Sequence, residues 1–103
     1  MANFSKNLYE AVLSLEDLDS CRRFFEDICT PKELKDLGDR LRVAELLHEK
    51  MTYEKITELT GMSSTTIARI NRALLHGEGG YKKVLKKGWG SFFYLIHFIA
   101  LHR

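Results

Sequence analysis

Four small hydroxyl side chains stand in a row at Ser63, Ser64, Thr65 and Thr66, and cationic side chains follow at Arg69 and Arg72. None of the four is a strong helix former. Yet Ile67 and Ile70, three apart, put them on the first turn of a helix. A first turn with short side chains lets another backbone approach. Its unpaired amides and positive end attract anions, phosphates above all. No acidic residue occurs from Met62 to Gly77, so nothing in this stretch repels a phosphate. Hydroxyls read base edges weakly, so Arg69, ordered water and duplex shape would supply most of any sequence preference. Each hydroxyl also has a plainer use. Ser63 suits a helix cap, and Thr66 either adds a second cap contact or faces the ligand.

Helical spacing of apolar residues runs through almost the whole chain, and strict alternation is missing. Phe4, Leu8, Val12 and Leu15 line one helix face; Leu18, Cys21, Phe25 and Ile28 line a second. Thr30-Pro31-Lys32-Glu33 predicts a third helix start, with Thr30 as cap, Pro31 at the first position and Glu33 closing a capping box. That helix carries Leu34, Leu37, Leu41 and Ala44, widened by Val43, Leu46 and Leu47, and should end near His48. Thr52 caps a short fourth helix over 53–59. Thr60-Gly61-Met62 makes a tight turn, and a fifth helix runs from the Ser63 cap to about Leu75. Three glycines within 76–80 break it before a sixth over 81–87. The expected fold class is all-α, with residues 1–87 as one domain and 88–103 as an apolar tail. Within that tail the apolar run 92–101 is too short to span a bilayer. It reads as a core or oligomer-contact helix, or else as a membrane-surface or sticky segment.

The chain has 103 residues, 45% hydrophobic and 29% charged, which fits one small globular domain. A core of this size is limited, so help from a partner subunit is plausible. Net charge is +2 but uneven: −3 over residues 1–29, +1 over 30–75 and +4 over 76–103. This is either ordinary surface variation or an acidic dimer-forming end opposed to a nucleic-acid-facing end. Cys21 and Cys29 lie about 12 Å apart along a helix, too far for a bridge within it. No histidine has metal-ligand spacing, so no metal site is expected. The N-terminus lacks the pattern of a signal peptide, and a reduced, cytoplasmic protein is expected. Asp36, Asp39 and Arg40 crowd one helix. Without a nucleophile–base pair, metal spacing or phosphate loop they do not make an enzyme.

The fourth and fifth helices with their turn fit a helix-turn-helix over about 53–75. Counting Tyr53 as the first position, Ile56 falls at four, Gly61 at nine, Met62 at ten, Ile67 at fifteen and Ile70 at eighteen. Thr57 and Thr60 depart from the usual small and apolar residues. The stretches "TPKELKDLGDRLRVAELL" and "MTYEKITELTGMSSTTIARINRALL" resemble the Trp repressor superfamily, and within it the YerC/YecD-type branch. The resemblance implies an intertwined homodimer with one helix-turn-helix per subunit and a sequence-specific DNA-binding transcription regulator, a repressor by analogy. It places Ser63, Ser64, Thr65, Thr66, Arg69 and Arg72 toward double-stranded DNA. It aligns Thr30, Arg40 and Arg69 with the corepressor pocket of Trp repressor. Ile70 stands where that protein has glycine and should intrude on the ligand; Ala73 replaces a serine, and Glu54 an arginine. Tryptophan is therefore not the expected effector, no cofactor is expected, and the operator should differ. The competing expectation is a protein-interaction module that keeps the fold without specific DNA binding.

Overall fold

The computed structural model describes residues 3–86. Within them lie six helices and no strand: α1 Phe4–Leu13, α2 Leu18–Ile28, α3 Pro31–His48, α4 Tyr53–Thr60, α5 Ser64–His76 and α6 Gly80–Lys86. The expected helices are all present, with ends moved by a residue or so. The chain divides into two compact units, Met1–Asp36 and Leu37–Arg103, with the boundary inside α3. The tail over 88–103 lies outside the described residues.

In the first unit every helix start has a side-chain acceptor. Asn3 Oδ1 accepts from the Lys6 amide at 3.0 Å, and Asp17 Oδ1 from the Ser20 amide at 2.7 Å. The capping box at α3 is complete. The Glu33 amide donates to Thr30 Oγ1 at 3.1 Å, and the Thr30 amide donates to Glu33 Oε1 at 2.8 Å. That second bond favours the ionised form and holds the Glu33 carboxyl below its ordinary value. Arg22 sits between Asp19 and Glu26, at 2.9 and 2.7 Å, on the outer surface of α2. What this unit lacks is a core. No residue of α1 or α2 is buried, and Phe4, Leu13 and Leu18 are 78%, 84% and 83% exposed.

The core belongs to the second unit. Val43, Ala44, Leu46 and Leu47 from α3 cluster with Ile56, Ile67, Ile70, Leu74 and Leu85, and Met51, Met62 and Tyr81 pack around them. Residues 43–47 are buried without a break, so the end of α3 is enclosed all round rather than along one stripe. Leu37, expected on the inner face, is exposed instead. The stop of α3 is also specific. The Met51 amide donates to Leu46 O and the Lys50 amide to Leu47 O, both at 3.0 Å, with Lys50 at φ 67. This is a Schellman ending in which lysine occupies the left-handed position glycine usually takes, and Met51 folds back onto the core.

Glu45 lies inside that buried run at 4% exposure. Its carboxylate has Arg42 Nη1 at 3.4 Å, a long contact that only partly offsets the lost hydration. Burial, opposed by Arg42, raises the pKa of Glu45 above its ordinary 4.5. The folded chain thus holds this proton more tightly than the unfolded one. The resulting stabilisation is complete below 4.5 and is lost as pH rises through the raised value. Glu45→Gln should therefore raise stability at pH 7 by about 1 kcal/mol. In urea unfolding the gain should shrink as pH falls through the raised Glu45 value toward 4.5 and level off below it; a variant less stable than the parent at pH 7 would contradict this.

Candidate nucleic-acid interface

The residues singled out around position 65 are held by α4, α5 and the turn between them. Thr52 caps α4, its Oγ1 accepting from the Lys55 amide at 3.2 Å. Gly61 ends α4 at φ 75, a left-handed backbone that side-chain-bearing residues rarely adopt, and its amide donates to Thr57 O at 2.8 Å. Thr60 was expected in the tight turn and as a departure from an apolar position. Its hydroxyl donates to Ile56 O at 2.7 Å and accepts from the Met62 amide at 3.2 Å, so it ties the last turn of α4 to the connection. A threonine four residues after a carbonyl it can reach is the signal that the sequence carried.

Ser63 is the cap of α5: its Oγ accepts from the Thr66 amide at 3.2 Å and donates to Thr66 Oγ1 at 3.1 Å. The hydroxyl row therefore divides. Ser63 and Thr66 bind each other, while Ser64 and Thr65 are exposed. Thr65, Arg69 and Arg72 stand at i, i+4 and i+7, which aligns them on one face of α5, and all three are exposed. Ile67, Ile70 and Leu74 form the buried stripe of the same helix, packed toward α4 and α6. The first turn of α5 holds no acid, and Glu54 is exposed on α4. At the other end, a Cβ on Gly77 would run into the Ala73 carbonyl oxygen, so glycine is required for the chain to leave α5 there.

The residues aligned with a corepressor pocket are placed as follows. Thr30, in the first unit, uses its hydroxyl as the α3 cap. Arg40 and Arg69, in the second, are exposed. Asp36, on the same helix as Arg40, has Lys32 Nζ at 3.0 Å. Ile70 is 5% exposed and belongs to the core, so its bulk serves packing within the unit. Among the described residues no group of three or more His, Cys, Asp or Glu gathers to hold a metal, and no helix is long and apolar enough to cross a membrane.

The pattern of the Trp repressor protein family covers residues 5–88. The chain belongs to the Trp repressor family. It is 45% identical over 80 residues to YerC of Bacillus subtilis (strain 168), a protein of uncharacterized function, covering 78% of this chain and 77% of that one. A TrpR-like protein from Eubacterium eligens ATCC 27750 has a similar solved structure, with TM-score 0.75 and 46% identity over 80% of this chain and 84% of the other. So has a proposed Trp repressor from Staphylococcus aureus, with TM-score 0.77 and 34% identity over 84% and 87%. The family takes its name from a repressor protein.

Thr60→Val keeps the shape of the side chain but removes both hydroxyl bonds across the turn. It should lower stability by about 1 kcal/mol. Urea denaturation checks this, and an unchanged midpoint would show that the two bonds do not hold the connection.

Proposed function

We propose that this chain is a sequence-specific DNA-binding transcription regulator, a repressor, that acts in the cytoplasm as a homodimer on a palindromic operator and does not respond to tryptophan. The observation that carries the reading is the exposed first turn of α5. Ser64 and Thr65 are open there, Arg69 and Arg72 continue the face, and carboxylates are absent. Entering the major groove, the α5 amides and hydroxyls contact phosphates and water, and Arg69 reaches a base edge. Ser63 and Thr66 serve chiefly by fixing that turn.

The dimer is supported by what the single chain leaves uncovered. The apolar side chains of α1 and α2 have no core of their own, and their exposure in one copy calls for a second. On the second unit, an open depression lined by Leu41, Ala73, Tyr81 and Val84 has only Glu78 as a charged neighbour. That composition suits a permanent subunit contact. Tryptophan-independence rests on Ile70 and Ala73, which replace the glycine and serine beside the ligand in Trp repressor.

Glu54 on the outer surface of α4 is the feature that favours the second reading, a protein-interaction module without specific DNA binding. Salt separates the two. Phosphate contacts make affinity fall steeply with salt through counterion release. Thr65→Glu adds a carboxylate that suits the positive end of α5 and leaves folding intact, at a gain of about 0.3–1 kcal/mol. It should nonetheless reduce affinity for duplex DNA tenfold or more, measured by fluorescence anisotropy. Equal affinity of variant and parent, with no salt dependence, would favour the interaction module.

A further inference from the structure

The second unit carries another open groove, of about 840 Å³, beside α5, α6 and the end of α3. Its floor is apolar, with Met51, Leu74 and Leu75, and its rim is cationic, with Lys50, Lys82 and Lys86; no carboxylate lines it. Leu75 is 49% exposed, so the floor has no sufficient cover among the described residues. Lys82 Nζ donates to Leu75 O at 3.2 Å, which anchors one side of the rim. A rim of lysines is a poor match to a wholly apolar subunit contact, which the Leu41–Ala73–Tyr81–Val84 depression suits better.

We propose that this groove seats the chain's own C-terminal segment, residues 88–103, through its apolar run 92–101. The first support is position. Lys86 lines the groove, and the segment begins two residues after it in the sequence. Residues 87–91, with Gly88 and Gly90, reach at most about 17 Å, enough to bring the run over the floor. The second is chemistry. The segment holds Trp89, Phe92, Phe93, Tyr94 and Phe98 and no acid. Lysine stems cover apolar surface while their ammonium groups face aromatic rings. The aromatic rings of the segment therefore suit the apolar floor of the groove and the lysine stems beside it. The third is tethering, which gives the segment an effective concentration of about millimolar at its own groove. The family pattern stops at residue 88, so this contact is an addition to it rather than part of it. Seated there, the segment braces α5 through Leu74 and Leu75, on the same helix that carries Arg69 and Arg72.

The test uses the full chain with p-benzoylphenylalanine replacing Leu75, refolded from a mixture of ¹⁴N- and ¹⁵N-labelled copies and irradiated. Mass spectrometry should find the crosslink on residues 88–103 of the same isotope. A crosslink to α1 or α2, or to a different copy, or none on the segment, would overturn the proposal. A second reading needs no unnatural residue. Trp89 is the sole tryptophan. Its emission in the unsubstituted chain should lie to the blue of a free 88–103 peptide, and Leu75→Glu should return it to the red. Emission identical in parent and Leu75→Glu, with circular dichroism showing both folded, would also overturn it.

Discussion

The burial of the end of α3 is the constraint on which the rest of the second unit depends. Residues 43–47 are enclosed on every side, and the elements that enclose them include the inner faces of α4, α5 and α6 through Ile56, Ile67, Ile70, Leu74 and Leu85. A fully buried isoleucine such as Ile67 contributes about 1.5–3 kcal/mol. That stripe fixes the rotation of α5, and the rotation decides that Thr65, Arg69 and Arg72 face outward together. The exposed face is thus a consequence of the buried one. The cost of the arrangement is Glu45, a carboxylate drawn into the enclosed turn with only Arg42 beside it.

The row of hydroxyls resolves into two tasks. A helix start leaves amides unpaired, and Ser63 with Thr66 satisfies that need locally. Ser64 and Thr65 are then left outward with the positive end of the helix behind them. Gly61 and Thr60 set the approach of α4 to this turn, one by a left-handed backbone and the other by two hydroxyl bonds. Local bonds therefore shape the surface, while the core sets its direction.

Helix positions were legible from the sequence because caps and apolar spacing are local signals. The Thr30–Glu33 box, the Thr52 and Ser63 caps and the Gly61 turn all stand where their residue types predict. The candidate site was legible in part: the cap role of Ser63 could be read, whereas the role of Thr60 was hidden because its position suggested only a turn residue and a missing apolar contact. Burial was harder to read. Leu34, Leu37 and Leu41 have the spacing of a core stripe, but the fully buried run begins at Val43. Periodicity identifies an apolar face without saying what covers it. The apolar faces of α1 and α2 raise the same question, since their residues fit a core that one copy does not contain. Glu45 and the left-handed Lys50 were not foreseen, because both follow from how the end of α3 is enclosed and turned.

The most direct test of the central claim is selection of random duplex DNA by the purified protein, with and without L-tryptophan. A homodimer reading DNA through α5 should enrich a palindrome with half-sites about 34 Å apart, one helical turn, equally in both arms. Enrichment only with tryptophan would contradict the reading of Ile70 and Ala73. No enrichment in either arm would contradict the assignment of α5 as a DNA-reading helix.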